Sequence, residues 1–309
     1  MNAIYERLFY DIKCPVPGCT LPIDLVLSER SIDWVLYEPS LYLKPYSAQR
    51  FGTHKKNLEI FNDSETFKHD LAHFLDANRN PPQAYLPITP KSLELLLRFS
   101  HDHALPDLRL EKDVEDVYNF SMYAEMYGNK VAQRACKSAL EYLGKRSPKD
   151  AIFALGYKSD NHLFSGIDEY ARRSMSLTFE DVERPLAIAS SLRTFKKNHV
   201  IWKHYKDEWD RFMHKYITAV QNLITSKIEY GKIKIIPGIL HLIRTELESE
   251  VALTSETVGR TLDIVWEIEG SGELEKGIDV DGARRVLEQI LGERPSWEQL
   301  AMEYEYIDV

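Results

Sequence analysis

Cysteine is scarce in this chain, with three residues in 309. So few thiols exclude a disulfide framework, and a reducing, intracellular location, cytoplasmic or nuclear, is the expectation. Long hydrophobic runs are also missing. No stretch approaches the roughly 20 apolar residues that a membrane helix needs. The N-terminus has no basic segment leading into an apolar run and a small-residue cleavage site, so no secretory signal is read there. An excess of positive charge is lacking as well, with 39 Lys+Arg against 48 Asp+Glu and a net charge of −9. Phosphate binding requires clustered bases, so neither nucleic acid nor a membrane is expected as a partner. Fixed-period repeats, low-complexity tracts, a phosphate-binding Gly-rich loop and a Gly-x-Ser-x-Gly nucleophile elbow are all absent.

A chain of this length carries a substantial core and two domains of ordinary size. Charge is unevenly spread along it. Residues 266–309 hold 12 acids and 4 bases, which places −8 of the net −9 at that end. This end reads as a solvated acidic face.

Strand-prone and helical segments are segregated. Ile4, Leu8 and Ile12, with Tyr5 and Phe9, fall at helical spacing and predict a short first helix with an apolar face. Asp24 to Leu27 and Asp33 to Tyr37 compete as the first strand, and Phe51 ends a strand-prone stretch. A helix with Leu58 and Phe61 follows. Asn62, with Glu65 three residues on, is the candidate cap of a helix over Ser64–Asn78 carrying Phe67, Leu71, Phe74 and Leu75. Tyr85–Ile88 reads as a strand. Lys91–Ser100, Asp113–Tyr127 and Lys130–Leu143 read as helices, the last two stopped by Gly128 and Gly144. Strands followed by helices argue for an α+β fold.

Beyond Gly144 the pattern is all helical. Ser147-Pro148 opens a helix over about 148–155. Further helices are expected near 160–176, 179–192, 194–226, 255–268, 280–291 and 296–304, with Pro237 opening another. In the long helix, Trp202, Tyr205, Trp209, Phe212, Tyr216, Val220 and Leu223 step by three or four and form one buried stripe. Ser296 and Gln299 read as a capping pair.

Candidate chemistry is sparse. His69-Asp70-Leu71-Ala72-His73 mimics the H-E-x-x-H zinc motif, and His101-Asp102-His103 could extend it. Asp is one methylene too short to serve as the base, and Phe67 and Leu71 turn the other helix face inward. A metal-dependent hydrolase using His69 and His73 is therefore the minor alternative. Cys14-Pro-Val-Pro-Gly-Cys19 looks like half of a zinc knuckle, but no second Cys pair completes it. No metal, cofactor or catalytic residue is assigned. Cys136, among Val131, Ala135 and Ala139, reads as a small core residue. Asp279-Val-Asp281-Gly282 opens no calcium loop, because its twelfth position is Ile290 rather than Glu.

The run Phe51-Gly-Thr-His54-Lys55-Lys-Asn-Leu58, followed by Ser64-x-x-Phe67, resembles the BTB/POZ family, in particular its members abundant in mushroom-forming fungi. That family's pattern is a strand, then Phe-x-x-His-(Lys/Arg)-x-x-Leu, then Ser-x-x-Phe opening the next helix. Leu93-Glu-Leu-Leu-Leu-Arg-Phe99 with Leu105-Pro-Asp-Leu108 is similar to the family's helix–loop segment. Tyr123-Ala-Glu-Met-Tyr127 with Ala132-x-x-Ala135-Cys136 is similar to its final helix pair. The resemblance covers about residues 20–145, and residues 147 to about 216 are similar to the family's helical extension. Where many members place a base two positions before the histidine, this chain has Gly52. The resemblance implies a BTB/POZ-like domain over 1–145, a helical extension over 146–225 and an acidic helical region over 226–309. It implies a protein-interaction module without catalysis, a protein partner or a second copy of the chain, and Ile4, Leu8, Ile12, Asp24 and His54 as partner-binding residues. A substrate adaptor of a cullin-type ubiquitin ligase is the alternative within that class.

Overall fold

The computed structural model describes residues 13–29, 50–78, 80–86, 88–101, 105–188, 195–225, 236–249, 253–270 and 279–304. Ile4, Leu8, Ile12 and the candidate strand Asp33–Tyr37 lie outside the described residues. The chain is a mixed α+β protein that divides into two compact units, Met1–Tyr142 and Leu143–Val309.

The first unit is built on a four-stranded sheet, β1 (Leu25–Glu29), β2 (Arg50–Thr53), β3 (Leu75–Asp76) and β4 (Gln83–Leu86). Its order is β2-β1-β4-β3. β1 pairs antiparallel with β2 and parallel with β4. A strand flanked on both sides and covered on both faces must be apolar throughout. Leu25, Val26 and Leu27 meet that demand and are all buried. Inside the sheet the Gln83 amide donates to Ser28 Oγ at 3.2 Å, whereas the buried Thr53 hydroxyl of β2 finds no partner among the described residues.

Two short helices, α1 (Lys55–Phe61) and α2 (Glu65–His73), connect β2 to β3. Leu58, Phe67 and Leu71 point into the core, as their spacing predicts. The cap of α2 is Ser64, whose hydroxyl accepts from the Phe67 N–H at 3.0 Å. Asn62 was the expected cap. It is instead buried at the end of α1, donating to Leu58 O and Ser100 Oγ at 2.9 Å each and accepting from the Asn129 amide at 3.2 Å. Its carbonyl oxygen, the atom that would accept from a helix-entry N–H, is directed instead at Asn129 inside the protein. α2 also ends at His73 rather than Asn78, and Leu75–Asp76 turns back to pair with β4.

α3 (Pro90–Phe99) starts at a Thr89 cap and buries Leu93, Leu95, Leu96, Leu97 and Phe99. It is an inner helix with almost no solvent face. α4 (Val114–Met126) and α5 (Lys130–Leu143) complete the unit. Between them Gly128 has φ +74°, and a Cβ there would stand 3.0 Å from the backbone nitrogen of Ser64. Only glycine satisfies both the left-handed turn and that close approach. Cys136 is fully buried in α5, as its apolar neighbours predict.

In the second unit every element among the described residues is a helix. These are α6 (Pro148–Asp160), α7 (Ile167–Arg173), α8 (Phe179–Ile188), α9 (Phe195–Thr225), α10 (Ile236–Ser249), α11 (Ser255–Gly270), α12 (Val280–Gly292) and α13 (Trp297–Glu303). One hydrophobic cluster runs through them, from Ala151 to Ala301. Residues 146–225 and 226–309 read as separate regions in sequence, yet their helices share this core. The predicted stripe of α9 forms its spine, with Trp202, Tyr205, Trp209, Phe212, Tyr216 and Val220 buried and Leu223 packed against the cluster.

Two local expectations differ here. A single helix over 160–176 does not form. α6 ends in a left-handed turn at His162 (φ 52°), with the Leu163 N–H returning to Lys158 O at 2.8 Å. That six-to-one bond closes a helix end and is normally announced by glycine, which this sequence does not supply. Ser296 makes no side-chain cap bond either. Asp168 of α7 reaches across to accept from the Trp297 N–H at 2.7 Å, so α13 is capped from a distant helix. By contrast Asp279 caps α12 locally, accepting from the Gly282 N–H at 2.9 Å, which accounts for the acid-rich run there without a cation.

Candidate metal centre

Cys14 and Cys19 stand at the ends of a tight turn. The Cys19 N–H donates to Val16 O at 3.2 Å, Gly18 takes φ +75°, and Val16 is buried beneath. Both ends of the segment 13–24 are tied to β2. Gly52 N–H donates to Lys13 O at 3.1 Å, and Asp24 N–H donates to Thr53 O at 3.2 Å. The turn thus brings both thiols against the β2–α1 junction, where His54 stands, and against the C-terminal end of α3, where His101 follows the capping Ser100.

The four side chains form one group. One donor atom from each of Cys14, Cys19, His54 and His101 lies within 4.8 Å of all the others. The Cys19 thiol is 3.2 Å from His54 Nε2, and the Cys14 thiol is 3.4 Å from His101 Nε2. The two imidazoles meet edge to face, with centroids 5.2 Å apart. Both histidines are almost wholly buried, and both thiols are partly so.

The outer contacts determine which nitrogen faces inward. His54 Nδ1 lies 2.8 Å from Pro22 O, and His101 Nδ1 lies 2.7 Å from Leu97 O. A carbonyl only accepts, so each ring carries its proton on Nδ1. Each Nε2 then presents a lone pair to the thiols. Backbone carbonyls that orient a histidine from behind are the usual second shell of a metal ligand.

The surroundings of Cys14 do not favour its thiolate. Burial is the main influence on the Cys14 thiol and pushes it up to about 11, with Cys19 adding to the rise and a backbone hydrogen bond from Val16 opposing it. A reactive cysteine needs its thiolate favoured. Cys136 is likewise pushed up by burial.

The other sequence candidates fall elsewhere. His69 and His73 stack on the exposed face of α2 with ring centroids 5.6 Å apart. Among the described residues they join no cluster of three or more metal-binding groups. His101 belongs to the cysteine cluster rather than extending this pair, and His103 lies outside the described residues. Asp24 accepts from the Lys55 N–H at 2.8 Å. It caps α1 from outside the helix, a role left open because the side chain of His54, the residue preceding α1, makes no cap bond. His54 has both ring nitrogens engaged within its own unit.

Sequence reasoning found the Cys pair but sought its completion in a second Cys pair. The missing donors are histidines that lie 35 and 87 residues along the chain from the thiols they contact. The available signal was that His54 directly follows a strand and His101 follows the C-cap residue of a helix, both element ends where a side chain can face a neighbouring loop. No protein-family model, curated protein or solved structure matches the chain.

Proposed function

We propose that this chain is a protein-interaction protein without catalytic activity, whose first unit is BTB/POZ-like and whose second unit is a helical extension. The observation that carries the reading is the role each residue takes in the run from Phe51 to Phe67. Phe51 is a buried strand residue, His54 closes the strand and precedes α1, Leu58 is the buried residue of α1, Ser64 caps α2 and Phe67 anchors it. These placements support the resemblance, whose pattern has a strand at this run and a helix opening at Ser-x-x-Phe. The antiparallel pair β1–β2, the helix pair α1–α2 and β4 parallel to β1 give a small sheet packed with helices, which supports the same reading.

The partner is another protein or a second copy of the chain. Gly52 bears on where a copy would dock, since a Cβ there would run into the side chain of Ile23. The base that many family members carry at this position would require Ile23 to move, and self-association is assigned to the apolar residues of 1–27. Light scattering on the full chain, together with the protein composition of the complex recovered from its own cells, tests the reading. A dimer or a stoichiometric protein partner is expected. A partnerless monomer with hydrolytic activity lost on His69→Ala would contradict it.

A further inference from the structure

We infer that Cys14, Cys19, His54 and His101 bind one zinc ion as a closed, structural Cys2His2 centre that pins segment 13–24 to the β2–α1 junction and to the end of α3. The inference is independent of the interaction reading, since it rests only on donor atoms and their surroundings.

The donor set selects the metal. Two thiolates and two imidazoles suit a soft, tetrahedral ion, and zinc is the common one. With Zn–S near 2.3 Å and Zn–N near 2.0–2.1 Å, neighbouring donor atoms of a tetrahedron sit roughly 3.3–3.8 Å apart. The thiol–imidazole distances of 3.2 and 3.4 Å lie just below and at the short end of that spread, and all four donor atoms lie within 4.8 Å of one another. Small outward shifts seat an ion at their centre.

Protonation is consistent with the same ion. Each imidazole is held with its proton on Nδ1 by a backbone carbonyl, so both Nε2 lone pairs are already directed inward. Binding releases one proton from each thiol to solvent. Two thiolates and a divalent cation then leave the buried centre neutral, which removes the cost of isolated charge there.

Four protein donors leave no coordination position for water or substrate. A catalytic zinc keeps one position open, and a structural zinc does not. The site therefore acts on folding. It cross-links three segments that are distant in sequence and that carry the turn at Cys14–Cys19, the entry to α1 and the exit from α3.

The test uses the full chain, purified under reducing conditions. Metal analysis by mass spectrometry is expected to find one zinc per chain. Replacement with Co(II) is expected to give the intense visible bands of a tetrahedral ion and a thiolate-to-cobalt charge-transfer band of two-thiolate strength. Cys14→Ser and His101→Asn should each reduce zinc from one per chain to near none, while the His69→Ala/His73→Ala chain keeps it. Should either ligand variant fail to fold, the wild-type cobalt spectrum decides. A wild-type chain without zinc, a pale octahedral cobalt spectrum, or zinc retained in folded Cys14→Ser would each overturn the site.

Discussion

The two units are held together by different physics. The second is a set of helices around one continuous apolar cluster, with Trp202, Trp209, Trp297, Tyr205 and Tyr216 among its fully buried side chains. The first has a sheet of short strands and secures its loops by polar contacts between distant residues. Examples are Asn62 with Ser100 and Asn129, Gln83 with Ser28, and the two cysteines with the two histidines. Apolar burial is non-directional and tolerates relaxation. Donor–acceptor ties are directional, and a buried group that loses its partner carries the full desolvation cost. The second unit should therefore respond to lost volume and the first to lost partners.

The largest effect from a single side chain is expected at Trp209. Truncation to Ala removes a fully buried indole and should cost about 3–5 kcal/mol in denaturant unfolding. Trp209→Phe separates volume from polarity. The indole N–H finds no acceptor among the described residues, so losing that donor should cost nothing. The Phe variant is expected to lose less than about half of what Ala loses. Equal losses would mean that the N–H is paired and that the second unit is less purely apolar than described.

A smaller effect is expected where a unit depends on one directed bond. Asp24→Ala removes the acceptor for the Lys55 N–H and should cost about 0.5–2 kcal/mol, as loss of a helix cap does. Asp24→Asn keeps an acceptor oxygen and should recover most of it. If Ala and wild type unfold at the same denaturant concentration, α1 is not capped by the residue that precedes β1, and the contrast between the units weakens.

The smallest effect is expected from His69→Ala/His73→Ala, an exposed stacked pair. Surface substitutions of this kind usually stay within about 0.5 kcal/mol. A larger loss, or loss of bound zinc, would move the metal chemistry from the buried cluster to α2 and restore the hydrolase alternative. Total metal content alone does not separate an enzyme from an interaction protein here. The residues that hold the metal do.

The same contrast explains what was legible beforehand. Helix α9 could be read because its buried residues recur every three or four positions, a pattern carried by neighbours in the chain. Leu58, Phe67, Leu71 and Leu97 were legible as core for the same reason, and each is buried. The cap at Ser147 was readable because the bond closes within three residues. The cap of α13 was not, since its acceptor is Asp168, 129 residues away. The cysteine–histidine cluster failed to show for that reason too. Its donors come from a turn, a strand end and a helix end, and no periodicity links them. A Cys pair without a visible partner argues for searching strand and helix ends for histidine, rather than for setting the pair aside.

The most direct measurement is amide hydrogen exchange on the full chain, before and after zinc is removed with a chelator. The account predicts that residues 13–24, 50–61 and 97–101 lose protection when the metal leaves, because the centre ties those segments together. Amides of α9 over 201–224, whose buried stripe lies in the second unit's apolar cluster, should exchange as before. Unchanged protection in the first set, or equal loss in both, would contradict the claim that a metal centre holds the first unit while hydrophobic burial holds the second.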